Sequence, residues 1–291
     1  MIILLYCHLL KLCRLGPIFQ GFCSLRSVWY AIPIIIVLLS LTDTMSANRA
    51  NSGGVLIDPG HSSRSSGAMS CSGKPEYLYN TTLANSVVAF LSSKHILVAL
   101  SHQADEELSL LDRARTAAGR DLLLSLHHDS VQPQFLSRHS KKHGTCSEKA
   151  KGFSIFVSRK NPFYKKSLQY ANSLGSALVK RGLTPTLHHA EPIAGENRPL
   201  LVPDRGVYAF DDLVILKKAN SPAVLLEAAV IVNPNDEALA TTASYRTIIT
   251  ESIYEMLISV HPERPDFREG CGHFRLKWQS TLAQRGPNSV H

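Results

Sequence analysis

The sequence of 291 residues lacks several features that would indicate common classes of binding protein. Its six cysteines include no CxxC pair, which argues against a zinc site built from cysteines. It has no internal repeat, and no run of lysine and arginine is interleaved with aromatic residues, so we expect no nucleic-acid partner. The formal charge of +8 is nevertheless basic, and it suits an anionic polymer or an anionic lipid surface.

The N-terminal stretch differs in kind from the rest of the chain. An apolar run at residues 28–41 follows several basic residues, and it is shorter than the roughly 20 residues of a membrane span. Residues 1–47 are therefore predicted to be a signal peptide that is cleaved near Ala47. Because the segment is longer than the usual ~15–30 residues, the alternatives are a true start downstream of Met1 or a retained anchor. The protein is expected to be exported, periplasmic or extracellular, with no stable membrane span after cleavage.

Export changes the interpretation of the cysteines. Only Cys71, Cys146 and Cys271 lie outside the predicted leader. Cys71 and Cys146 could form a disulfide in an oxidising compartment. Because three cysteines leave one over, unpaired thiols are an equal alternative.

Strand-like and helix-like segments alternate from residue 52 to residue 261. This alternation predicts one α/β domain with a mostly parallel central sheet flanked by helices. Residues 131–151 are predicted to be an inserted loop, and residues 262–291 a polar C-terminal extension. Apolar runs predict strands at 54–58, 96–100, 120–130, 152–158, 213–216 and 223–228.

Polar residues collect where these predicted strands end. In open α/β sheets, ligands bind just beyond the carboxyl ends of the strands. Two histidines and a carboxylate at that edge form the ligand set of a catalytic zinc site, and a second carboxylate could act as a general base. For any single histidine, a surface position or a core position is the alternative. The residues concerned are Asp58, His61, Glu76, His127, His128 and Glu227.

Several motifs together resemble the zinc-dependent N-acetylmuramoyl-L-alanine amidases of the amidase-3 type. "VLIDPGH" is similar to the family's DPGHGG, "LLDRARTA" to its L-x-x-R-x-x-x-A element, and "LLLSLHHDS" to its S-I-H-A-N. "PAVLLEAAVIVNPNDEALA" is similar to P-A-V-L-V-E-x-G-F-x-S-N-x-x-E…L. The motifs follow the family's order over residues 53–261, and their combination is specific where each alone would not be.

The resemblance implies roles for individual residues. His61, Glu76 and His127 match the three zinc ligands, so Zn²⁺ is the expected cofactor. Glu227 matches the catalytic glutamate. His128 falls where the family has a small residue, so it is interpreted as a neighbour of the metal site and not as a ligand.

The chain also departs from the family pattern. Ser62 and Ser63 follow His61 where the family has glycines, and the last motif keeps Glu227 and Asn233 but loses its glycine and phenylalanine. No cell-wall-binding repeat is visible. These departures affect the expected substrate contacts more than metal binding.

The implied function is hydrolysis of the amide bond between N-acetylmuramic acid and L-alanine in peptidoglycan by a zinc-activated water, with Glu227 as general base. Peptidoglycan is the expected partner, the chain is expected to be a monomer, and the need for an activator protein is left open. One alternative is a catalytically silent module that binds peptidoglycan or a partner. Another is a zinc peptidase or amidase acting on a different amide, although the HxxE ligand pair of many such peptidases is absent around His61.

Overall fold

The structure is a computed structural model that describes residues 53–138 and 145–264. The predicted signal or anchor segment and most of the predicted C-terminal extension lie outside the described residues. In the described part the elements are, in chain order, β1 Val55–Pro59, α1 Glu76–Ser93, β2 Val98–Leu100, α2 Leu110–Arg115, β3 Leu122–Asp129, β4 Ser137–Arg138, β5 Thr145–Cys146, β6 Ser154–Val157, α3 Tyr164–Lys180, β7 Leu200–Val202, β8 Val207–Ala209, α4 Val214–Lys217, β9 Ala223–Val230, α5 Pro234–Ala240 and α6 Ala243–Val260.

Seven strands form the central sheet in the order β2-β1-β3-β9-β6-β8-β7. The strands β2, β1, β3 and β9 pair in parallel, and β6 pairs antiparallel with β9. On the far side β8 pairs in parallel with β6, and β7 pairs antiparallel with β8. The predicted mostly parallel sheet is confirmed, and its parallel half carries the strands with the candidate site residues.

Helices cover both faces of this sheet because the side chains of each strand alternate between the faces. Ile57 and Leu124 join the core that contains the buried faces of α1, α3 and α6. Their neighbours Leu56 and Leu123 join a second, smaller core with residues of α2 and α4. Strands that are buried on both faces explain the continuous apolar runs in the sequence.

One predicted strand, at residues 213–216, is wrong. The structure has a single helical turn there, α4, whose Ile215 and Leu216 are buried in the smaller core. A short apolar run has no periodicity that distinguishes a strand from a buried helical turn. The strands β7 and β8, of three residues each, were not predicted from the sequence.

The predicted inserted loop contains the short antiparallel pair β4–β5. A disulfide joins Cys146 of β5 to Cys71, which settles the open question about this pair. The bridge therefore fastens the inserted loop to the segment that precedes α1. Within the described residues, no helix is both long enough and apolar enough to cross a membrane.

Candidate active site

Three strand ends and one helix start meet at the carboxyl edge of the parallel half of the sheet. His61 follows the end of β1, and Glu76 is the first residue of α1. His127 of β3 pairs in register with Glu227 of β9. The fold thus brings together the four residues to which the sequence assigned roles.

His61, Glu76 and His127 form a compact group, here called the first cluster. Glu76 lies between the histidines: its Oε2 is 3.2 Å from His61 Nε2, and its Oε1 is 3.1 Å from His127 Nδ1. One donor atom of each residue lies within 4.8 Å of the other two. The side chains of His61 and His127 are 31% and 16% exposed, whereas that of Glu76 is 5% exposed. The first cluster is therefore open to solvent on its histidine side.

Two glycines leave the space that the first cluster occupies. A Cβ atom on Gly60 would overlap the His127 ring, and one on Gly67 would overlap Glu76 Oε2 and the His61 ring. Gly67 also has a φ of +73°, a conformation that side chains rarely adopt. The backbone thus approaches all three side chains closely and holds them together.

The Glu76 carboxylate is fixed by hydrogen bonds from outside the first cluster. Ala68 N donates to Oε2 at 2.9 Å, and Asn80 Nδ2 donates to Oε1 at 3.0 Å. Burial raises the pKa of Glu76, but hydrogen bonds from His127 and His61 outweigh it and hold that pKa well below its usual range. Glu76 is consequently ionised and oriented, as a metal-binding carboxylate must be.

His128 lies outside the first cluster. As the next residue of β3 it points to the opposite side from His127, and its Nδ1 lies 2.8 Å from Asn80 Oδ1. Burial lowers the pKa of His128 to about 4, against the opposing charge of Glu76. The ring is therefore neutral at ordinary pH and is engaged with Asn80, a residue that the sequence had not singled out.

Asp58 also lies outside the first cluster, although the sequence placed it at the same edge. Its carboxylate is fully buried and forms an ion pair with Arg113 Nη2 at 2.6 Å. The hydroxyls of Ser101 and Ser125 donate to it at 2.6 and 2.7 Å. Burial raises the pKa of Asp58, but Arg113 and the two serines outweigh it and lower that pKa. Asp58 and Arg113 therefore tie α2 to the end of β1.

Glu227 is half-buried, and one oxygen of its carboxylate is enclosed and unsatisfied. Among the described residues, its Oε2 has no hydrogen-bond partner. Burial raises the pKa of Glu227 well above its usual range, and the charges of Asp129 and Glu76 raise it further, while Arg198 lowers it. An unpaired polar atom of this kind lowers the stability of the folded state, so its retention points to a ligand or a reaction that uses it.

A second group of polar side chains near Glu227 was missed from the sequence. Asp129 ends β3, and His188 and His189 lie in a short 3₁₀ turn, His188–Ala190. His189 Nε2 is 2.8 Å from Asp129 Oδ2. The only sequence signal was the His-His dipeptide, which has no recognisable ligand spacing.

Comparison with known proteins identifies the same family that the sequence motifs resemble. A family model described as N-acetylmuramoyl-L-alanine amidase, Amidase_3, matches residues 55–259. The chain is 27% identical over 216 residues to the N-acetylmuramoyl-L-alanine amidase AmiA of Escherichia coli (strain K12), with 70% of this chain and 75% of AmiA covered. It is also 27% identical over 205 residues to the probable cell wall amidase LytH of Staphylococcus saprophyticus, with 70% and 56% covered.

Solved structures share the fold. The catalytic domain of the amidase CwlV from Bacillus (Paenibacillus) polymyxa superposes with a TM-score of 0.55 at 21% identity, covering 73% of this chain and 99% of that one. The amidase Ami1 of Mycobacterium smegmatis gives a TM-score of 0.56 at 20% identity, covering 73% and 98%. At this identity the likeness supports the architecture, and the chemistry has to be argued from the residues themselves.

Proposed function

The chain belongs to the Amidase_3 family of N-acetylmuramoyl-L-alanine amidases, and from that premise we propose that it hydrolyses the amide bond between N-acetylmuramic acid and L-alanine in peptidoglycan. The observation that carries the proposal is the meeting of His61, Glu76 and His127 with the unsatisfied carboxylate of Glu227 at one sheet edge. The names of the relatives AmiA and LytH support the same reaction and substrate.

The proposed cofactor is Zn²⁺, held by His61, Glu76 and His127. Two imidazole nitrogens and one carboxylate oxygen are a usual donor set for a catalytic zinc, and they leave a fourth position open. The open histidine side of the first cluster and the glycine cradle at Gly60 and Gly67 fit this assignment. When bound, zinc supplies Lewis acidity, which acidifies water and polarises the scissile carbonyl.

The proposed general base is Glu227. Its carboxylate takes a proton from the attacking water as the new C–O bond forms, and it delivers that proton to the L-alanine nitrogen as the C–N bond breaks. The products are the carboxylate of the muramic acid lactyl group and the free amine of the peptide. Burial keeps the pKa of Glu227 high, and a neighbouring cation would lower it. These opposing influences suit a group that must both accept and release a proton.

The proposed location is outside the cytoplasm, in the periplasm or extracellular space. The Cys71–Cys146 disulfide supports this, because such bonds persist in oxidising compartments. The division of the chain stays a prediction: a signal or anchor segment at 1–47, the catalytic domain at 52–261 and an extension at 262–291. A monomeric state also stays a prediction, and a requirement for an activator protein is not part of the proposal.

The experiment that tests the proposal is product analysis on purified peptidoglycan sacculi. We expect mass spectrometry to find glycan strands whose muramic acid residues carry a free lactyl carboxylate, together with stem peptides that begin with L-alanine. Cleavage within the stem peptide would assign the site to a different amide. Binding to sacculi without any cleavage by the zinc-loaded protein would support a silent binding module instead.

A further inference from the structure

Asp129, His188 and His189, here called the second cluster, share a donor set with the first cluster. All three side chains are largely buried; those of His188 and His189 are 6% and 8% exposed. One donor atom of each residue lies within 4.8 Å of the other two. Asp129 is two residues after His127 on β3, just past a shift in the register between β3 and β9.

The inner nitrogens of both histidines face one carboxylate oxygen. His189 Nε2 is 2.8 Å from Asp129 Oδ2, and His188 Nε2 is 3.5 Å from the same atom. The two imidazole rings lie with their centroids 3.8 Å apart. Two ring nitrogens and an oxygen thus converge on one small volume.

The outer nitrogens of both histidines are occupied by other partners. His188 Nδ1 lies 2.8 Å from Thr186 Oγ1, and His189 Nδ1 lies 2.8 Å from Glu196 Oε2. Metal-binding histidines almost always engage an acceptor through the ring nitrogen that does not bind the metal. This arrangement fixes both rings and directs the Nε2 atoms inward.

One inward atom is left unsatisfied. Among the described residues, His188 Nε2 is buried and has no hydrogen bond of normal geometry, although the Ser130 backbone lies close enough to influence the ring. A buried nitrogen without a partner has lost its hydrogen bonds to water without replacing them, which destabilises the folded state. A ligand that supplies an electron-pair acceptor between His188, His189 and Asp129 would remove that cost.

The local charges also favour a cation. Asp129 and Glu196 contact His189, and the charge of Asp129 also acts on Glu227. Arg198 is the cation that acts on Glu227, and its Nη1 lies 2.5 Å from Glu196 Oε2. If no further cation is bound, protonation of a histidine has to balance the negative charge of these carboxylates. Burial lowers the pKa of His189, but Asp129 and Glu196 outweigh it and raise that pKa to about 9.

We propose that Asp129, His188 and His189 bind a second divalent transition-metal ion beside Glu227. Two imidazoles and one carboxylate suit zinc best among the common divalent ions, with other late transition metals as weaker candidates. Glu196 and Thr186 orient the two histidines for this role. The inference does not depend on the proposed amidase reaction, since it concerns a separate set of ligands.

The test is the zinc content of the purified protein after it has been stripped with a chelator and refilled at buffered free Zn²⁺. We expect two zinc ions per chain for the natural protein by mass spectrometry of the metal. His188→Ala should bind one, and His127→Ala should also bind one. The double variant should bind almost none. His95→Asn, which replaces an exposed histidine and tolerates its φ of +60°, should still bind two.

The His127→Ala variant keeps the proposal testable if His188→Ala fails to fold, because the second cluster is intact in it. A single zinc in the natural protein that disappears in His127→Ala would overturn the second site. Asp129, His188, His189 and Glu196 would then form only a hydrogen-bonded network with His189 protonated. Failure of the proposed amidase site would look different, because zinc would then be retained in full in His127→Ala and lost in His188→Ala.

Discussion

The two clusters have the same composition, two imidazoles and one carboxylate, but the chain builds them differently. The first cluster takes its residues from a loop, a helix start and a strand, and Glu76 offers a separate oxygen to each histidine. The second takes adjacent histidines from one turn, and both face a single oxygen of Asp129. Equal donor sets therefore arise from unrelated local structures.

The two clusters also differ in how far their side chains are exposed to solvent. The His61 side chain is partly open to solvent, whereas both histidines of the second cluster are nearly closed off. Catalytic zinc sites keep an open position, and structural sites are closed by protein ligands. We therefore propose that the first cluster contacts the substrate and that the second acts electrostatically on Glu227.

Removal of a ligand from the first cluster should have the largest effect. His127→Ala should abolish most zinc binding there and all measurable amide cleavage, because two ligands cannot hold a catalytic zinc firmly. His128→Ala is the matched control: that ring contacts Asn80 outside the cluster, so most of the zinc should remain. Zinc analysis and cleavage assays on both variants, with circular dichroism to verify folding, measure this. The reverse pattern would mean that the two histidines are wrongly assigned.

Glu227→Gln should have the next largest effect. The amide keeps the shape of the side chain but cannot accept a proton, so we expect a loss on the order of 10²–10⁴ in rate. Both clusters should keep their metal, because Glu227 belongs to neither. The measurement is zinc content alongside the cleavage rate of the purified variant. Normal turnover would remove Glu227 from the mechanism, and loss of zinc would make it a ligand.

The two clusters also differ in how far the sequence could predict them. His61 and His127 each stand beside a strand end within a recognisable motif, and Glu76 stands at a helix start, so the sheet topology brings them together. His188 and His189 lie in a 3₁₀ turn with no periodicity. Their partner Asp129 is distant along the chain and approaches only after folding. The sequence therefore carries no local signal for the second cluster beyond the His-His dipeptide.

The sequence also predicted some elements of the fold and missed others. The long apolar strands β1, β3 and β9 and the amphipathic helices were predictable, because burial on both faces or on one stripe leaves a clear pattern. The turn at Ile215 and Leu216 was not, because four residues are too few to show a helical period. Asn80 was also missed, since its hydrogen bonds to Glu76 and Gly60 depend on the packing of α1 against β1.

Substitution of Gly67, one of the two glycines beside the first cluster, should have a smaller effect, confined to zinc affinity in that cluster. Gly67→Ala would place a Cβ against Glu76 and His61, so we expect zinc affinity in the first cluster to fall by up to about 10²-fold, the upper end of the loss seen when groups that orient metal ligands are changed. Gly182→Ala is the matched control, because Gly182 also has a positive φ but nothing lies within 4 Å of its Cβ position. Both variants bear a backbone strain of roughly 1–2 kcal/mol. If zinc titration shows equal affinities in the two variants, Gly67 is not needed to make space for the first cluster.

Loss of charge at Glu196 should have the smallest effect and should reach the second cluster alone. Glu196 Oε2 holds His189 Nδ1 at 2.8 Å, and Gln132 Nε2 donates to Oε1 at 2.9 Å. Glu196→Gln keeps the shape but weakens the acceptor that makes His189 basic. Changes to such partners typically cost 10–100-fold in metal affinity, so we expect a loss of about that size in the weaker of two zinc-binding steps.

Glu191→Gln provides the matched control for that variant, because Glu191 lies in the same loop but forms an ion pair with Lys149, at 3.0 Å, instead of contacting a histidine of the second cluster. Its two binding steps should equal those of the natural protein in a competition titration against a chromophoric chelator. The first cluster has no hydrogen bond to Glu196 in the described residues, so the tighter step should stay constant in both variants. A change in the tighter step would show that the two clusters are coupled through Glu227, and an unchanged weaker step would remove Glu196 from the support of His189.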